Sequence, residues 1–113
     1  MLIYKICHQG EWDAALRDHI YAGSAKDRQD GFIHFSKAGQ VRRTLERYYE
    51  DDNDLVLVAV ESDRVAYSLR FEPSRDGALF PHLYGLLPLS SVKWVKAIVR
   101  NADGSFRLPD ECI

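Results

Sequence analysis

The chain has 113 residues, 46% hydrophobic and 28% charged, which is the composition of one globular domain and excludes disordered and fibrous classes. Fifteen Lys+Arg against 17 Asp+Glu leave a net charge of −2, so binding along a nucleic-acid backbone, which needs a basic face, is not expected. The longest apolar run, Leu55–Val60, is far short of the ~20 residues that span a bilayer, and the opening Met1–Lys5 does not read as a secretory leader. Cys7 and Cys112 form no metal or redox motif. A single domain over residues 1–113, cytoplasmic, monomeric and without a membrane or nucleic-acid partner, is the expectation.

In chain order, residues 2–8 read as a strand, with Leu2, Tyr4 and Ile6 on one face and Ile3, Lys5 and Cys7 on the other. Glu11–Ile20 places Trp12, Ala15, Leu16 and His19 at helical spacing. Ala22–Gly31 is polar and ends in Asp-Gly, which predicts a loop. Phe32–Ser36 reads as a strand. Gly39–Glu50 is the clearest helix, with Val41, Leu45, Tyr48 and Tyr49 on one face and Arg42, Arg43, Glu46 and Arg47 on the other. The acidic run Asp51–Asp54 ends it, because negative charge at a helix C-terminus opposes the macrodipole.

Leu55–Val60 lacks polar alternation and predicts a central strand covered on both faces. Val65–Glu72 alternates, with Tyr67, Leu69 and Phe71 opposite Ser68, Arg70 and Glu72. Phe80–Tyr84 is a short extended piece that its proline confines to an edge, a strand start or a bulge. Ser91–Val99 is a further strand, Gly104–Leu108 suggests a last one, and the polar stretch 101–113 is expected to lie over the surface. About six or seven strands against two helices, with strands in succession after residue 55, predict an α+β domain. Its sheet should be largely antiparallel.

The two-residue period sorts the polar side chains. His34 and Ser36 share a face of one segment, Arg70 and Glu72 of a second, and His82 and Tyr84 of a third. If these segments are neighbours, the six residues line one cleft. Each also has a plainer reading: His34 as a half-buried ring, Ser36 as a helix cap, Arg70 and Glu72 as a solvated pair. His34, His82 and Glu72 carry zinc-compatible groups but no metal-ligand spacing, so no metal is expected. No nucleophile elbow and no phosphate loop is present.

Asp30-Gly31-Phe32-Ile33-His34-Phe35-Ser36 and Phe80-Pro81-His82-Leu83-Tyr84-Gly85, with Ile3–Ile6 and Leu69–Glu72, together resemble the family called domain of unknown function 952. The resemblance implies an ADP-ribosyltransferase-like fold, in which a split sheet embraces NAD. It also implies roles. His34 and Ser36 would hold the ribose of NAD, and Tyr84 would stack on nicotinamide. Glu72 would stabilise positive charge at the ribose carbon or orient the acceptor nucleophile, His82 would line the site, and Arg70 or Lys5 would meet pyrophosphate. NAD enters as a substrate; no resident cofactor is implied. The alternatives are a non-catalytic sensor of a nucleotide or another metabolite, and an interaction module presenting Arg42, Arg43 and Arg47. Fold alone does not choose among them.

Overall fold

The computed structural model describes residues 1–113 except the side chain of Arg75. Its strands and helices in chain order are β1 (Leu2–His8), α1 (Gln9–Asp18), β2 (Ile20–Tyr21), α2 (Ala25–Asp30), β3 (Ile33–His34), α3 (Val41–Tyr48), β4 (Leu55–Glu61), β5 (Leu69–Pro73), β6 (Leu79–Leu83), β7 (Leu87–Pro88), β8 (Val92–Arg100) and β9 (Phe106–Arg107). All strand pairs are antiparallel, in three sheets ordered β1-β4-β8-β9, β3-β6-β5 and β2-β7.

The absence of polar alternation in Leu55–Val60 has a direct structural counterpart. β4 lies between β1 and β8, and all six residues are buried. Val56, Val58 and Val60 pack with Ile3, Cys7, Trp12 and Ala15 on the α1 face. Leu55, Leu57 and Ala59 pack with Tyr4, Ile6, Val41 and Leu45 on the α3 face. One helix therefore covers each side of the sheet. Each large side chain so buried contributes roughly 1.5–3 kcal/mol.

Several elements differ from their sequence reading. The expected loop at 22–31 contains α2, a helix of six residues. The strand expected from Val65 begins only at Leu69; residues 65–68 form tight turns that leave Tyr67 fully exposed, and Phe71 is exposed as well. Leu16 and His19 face solvent, and His19 takes a left-handed conformation that ends α1.

The proline-bearing β6 is the middle strand of its sheet, not an edge. Pro81 accepts from the Phe35 N–H at 3.0 Å and has no N–H to return, and the β3–β6 ladder stops there. The tail is not a surface strap. β9 pairs with the end of β8, and Phe106, Leu108 and Cys112 are buried on the α3 face, where Arg42 Nη1 donates to the Phe106 carbonyl. Among the described residues, no helix is long and apolar enough to cross a membrane.

The two larger sheets meet at one place. Tyr4 and Ser36 exchange main-chain hydrogen bonds of 2.9 and 2.8 Å, an isolated bridge between β1 and the end of the β3 segment. Beyond it the two strands part.

Candidate functional site

The parting of β1 and β3 is filled at its base by Asp27. Ser24 caps α2: its hydroxyl accepts from the Asp27 N–H at 3.1 Å, and its own N–H donates to Asp27 Oδ2 at 2.9 Å. Gly31 closes the helix in the left-handed region and donates to the Asp27 carbonyl. The chain entering α2 passes so close that a Cβ on Gly23 would stand 2.8 Å from that of Asp27.

Asp27 is thereby buried, at 2% exposure, with its carboxylate aimed at β1 and β3. Lys5 Nζ, itself buried, lies 2.8 Å from Oδ2. His34 presents both its main-chain N–H, at 3.1 Å, and its ring Nδ1, at 2.6 Å, to Oδ1. Along this segment the Ser36 N–H turns to β1 and the Phe35 N–H to β6, so the His34 N–H points to the β1 side. The Asp27 carboxylate stands where a continued β1–β3 ladder would supply an acceptor. Burial opposes its charge, but the hydrogen bonds from His34, the Lys5 ammonium and the Ser24 N–H outweigh that and hold it far below the usual carboxylate range.

His34 and His82 are direct partners across β3 and β6, and Arg70 of β5 is the next partner across. The two imidazoles therefore share one face, with ring centres 5.7 Å apart and edge to face. Phe32 packs on both, at 4.5 Å from the His34 ring and stacked at 4.1 Å on His82. Each ring has a carboxylate behind it. His82 Nδ1 meets Glu72 Oε1 at 2.8 Å, and the Tyr84 hydroxyl donates to the same oxygen at 2.6 Å. Those bonds, from Tyr84 first and then His82, hold the Glu72 carboxyl below its usual pKa, while Glu72 pushes the Tyr84 phenol above its own. Arg70 lies 5.3 Å over the Tyr84 ring. The outer nitrogen of His34, Nε2, meets Asp30 Oδ2 at 3.0 Å, and Lys26 Nζ reaches the same oxygen at 3.2 Å.

The resulting cleft holds about 560 Å³. His34, Ser36, His82 and Lys5, all singled out in the sequence, line it. Tyr49, Phe32 and Phe80 supply aromatic walls, and Lys26 and Asp30 are also in the lining. Glu72, Arg70 and Tyr84 do not line it; they form an adjoining cluster that reaches the cleft through His82 and Phe32.

Ser36 is not a helix cap. Its hydroxyl lies 3.3 Å from Thr44 Oγ1, and the following turn is capped at Lys37, whose N–H donates to Gln40 Oε1. Lys5 is not a free cation, because Asp27 neutralises it. No group of three or more His, Cys, Asp or Glu side chains among the described residues is placed to hold a metal. The residue that sequence reasoning missed is Asp27. Ser24-Ala25-Lys26-Asp27 is a capping-box pattern and Gly31 a helix stop, and together they marked a helix in the polar stretch.

The chain belongs to the protein family of unknown function DUF952, whose model matches residues 6–95. The crystal structure of protein CC0527 from Caulobacter crescentus is similar, at 42% identity over 99% of this chain and 98% of that one, with a TM-score of 0.92. The crystal structure of a double mutant of CC0527 matches to the same extent, again with a TM-score of 0.92. The solution NMR structure of CC0527 matches at 43% identity over 92% of this chain and 90% of that one, with a TM-score of 0.82. No curated protein matches the sequence.

Proposed function

We propose that this DUF952 protein binds a nucleotide, NAD foremost, in the fork between β1 and β3, with a ribose against His34 and Ser36. The observation that carries the reading is the His34 ring, fixed from behind by buried Asp27 beside a serine hydroxyl in a cleft with aromatic walls. A ribose offers paired hydroxyls to such groups, and a base offers a flat face to Phe32, Tyr49 or Phe80. Two antiparallel sheets that part at a single bridge also support the ADP-ribosyltransferase-like assignment, since that fold embraces NAD in a split sheet.

The geometry redistributes the roles. Lys5 positions Asp27, so the phosphate contact passes to Lys26 in the cleft lining or Arg70 beyond it. Glu72 acts through His82 and is a positioning residue. Binding without glycosidic chemistry is favoured by one specific feature: Asp27, Asp30 and Glu72 are all engaged by lysine, histidine or tyrosine partners. None is left free to face positive charge developing at a ribose carbon.

Calorimetry with NAD and ADP-ribose tests the binding. Wild-type protein is expected to bind, and His34→Ala to lose up to about tenfold in affinity, the worth of one directional hydrogen bond. Nicotinamide release in the same samples separates catalyst from sensor. An absence of binding heat with NAD, NADP and ADP-ribose would sink the nucleotide reading.

A further inference from the structure

His34 and His82 differ in what their two nitrogens meet. Both nitrogens of His34 face carboxylate oxygens, Asp27 Oδ1 and Asp30 Oδ2, at 2.6 and 3.0 Å. Ionised carboxylates only accept, so both contacts are hydrogen bonds only when the ring carries hydrogen on both nitrogens. His82 has one such contact. Its Nδ1 lies 2.8 Å from Glu72 Oε1, and a neutral ring that gives its Nδ1 hydrogen to that oxygen carries its lone pair at Nε2. His82 lines the cleft, and among the described residues its Nε2 has no hydrogen-bond partner and is not among the fully buried unpaired atoms. One cleft thus sets a proton donor and a proton acceptor side by side, 5.7 Å between ring centres, each oriented by its own carboxylate. Differently biased neighbours of this kind are what acid–base catalysis requires.

Asp30 marks what the donor would meet. Its Oδ2 is an anionic oxygen held jointly by His34 Nε2 and Lys26 Nζ, on a side chain 31% exposed, and a substrate phosphate would displace it to reach the donor. A phosphate oxygen has the same charge and acceptor geometry.

We infer that the cleft is built for acid–base hydrolysis of a phosphate ester on a nucleotide's ribose, with a 2′,3′-cyclic phosphate as the substrate class. This rests on the nucleotide reading above and names the bond that is cleaved. His82 Nε2 takes a proton from a water molecule, and the water oxygen forms a bond to phosphorus. The bond from phosphorus to one ribose oxygen breaks, and that oxygen takes the proton from His34 Nε2. The product is a ribose monophosphate, and the two rings regain their starting states by proton exchange with solvent. Ring opening needs an attacking water, a proton acceptor and a proton donor, and the two histidines supply the last two. Asp27 and Glu72 are positioning residues in this scheme.

The test uses the full chain with 2′,3′-cyclic AMP as probe, and calorimetry with 3′-AMP to report binding in every sample. Wild-type protein is expected to turn over the probe with a bell-shaped pH profile. The groups that shape the limbs are Asp27, Asp30 and Lys26 around His34, and Glu72, Tyr84 and Arg70 around His82, together with the effect of each ring on the other. His82→Gln should lose about 10²–10⁴-fold in rate and the acidic limb. His34→Gln should lose a similar factor and the alkaline limb. His34→Gln should bind 3′-AMP up to about tenfold more weakly and His82→Gln should still bind it, and circular dichroism should show that both fold. Wild-type protein that binds 3′-AMP without turning over the cyclic probe overturns this inference and leaves the nucleotide reading standing. Turnover that survives in both variants overturns it too. No binding of 3′-AMP or NAD overturns the reading beneath it.

Discussion

Asp27 receives four contacts, from Lys5 Nζ, the main-chain N–H and ring of His34, and the Ser24 N–H, and it is buried with Lys5 beside it. Such a pair adds little net stability when intact, but removing one partner leaves a charge buried alone. Asp27→Asn keeps the shape and strands Lys5. It should cost about 3–5 kcal/mol in a denaturant titration, against well under 1 kcal/mol for a surface carboxamide swap. The same residue sets an acid dependence. Its carboxyl is lowered on folding, so its stabilisation is fully present above the unfolded carboxyl value of ~3.9 and is lost as pH falls below it. Melting temperatures from pH 7 downward should therefore fall below about pH 4 in wild-type protein, and the part due to Asp27 should be missing from Asp27→Asn. Cys7 belongs to this scale as well. Burial pushes its thiol up to about 12, so native protein should resist alkylation there at pH 8 and react only when unfolded.

At the scale of elements, α2 matters more than its six residues suggest, because it aims Asp27. Gly23 makes its approach possible, with φ at +99° and no room for a Cβ beside Asp27. Gly23→Ala should lower stability by about 2–3 kcal/mol through strain and contact together. Ser24→Ala, which removes only the cap, should cost about 1 kcal/mol. Equal losses in both variants would mean that the close approach is not a constraint. These features also mark the limits of sequence reading. β4 was legible because a run of six apolar residues has no other stable place, and α3 because Val41 and Leu45 fall at helical spacing. α2 was hidden because a short, polar helix has almost no apolar periodicity; only its caps announce it. The middle position of β6 was hidden because the rule against proline concerns a missing donor, and the neighbouring strand ends where that donor would be needed. The alternation placed His34 and His82 on polar faces, but their pairing depends on a strand register that no local pattern specifies.

Over the whole molecule, the β1-β4-β8 sheet separates two cores, and each cysteine lies in a different one: Cys7 under α1 and Cys112 under α3. A bridge between them is barred by the sheet itself, and both thiols are free. The melting temperature should be the same with and without reductant. Val56→Asp would put a charge into the α1-side core and should cost several kcal/mol or abolish folding, as read by circular dichroism. The same double-sided packing holds β1 rigid, while its outer edge meets the second sheet only at Tyr4 and Ser36. The fold thus ends one sheet and begins another around an open fork, and Lys5, Asp27, His34 and Ser36 stand in it. The most direct measurement is a titration of isotope-labelled protein with NAD, followed by amide and imidazole resonances. The account predicts saturable shifts at Lys5, His34, Ser36, Thr44 and His82, with the β8 strand silent. Unmoved spectra at millimolar NAD, or shifts confined to residues away from the fork, would contradict it.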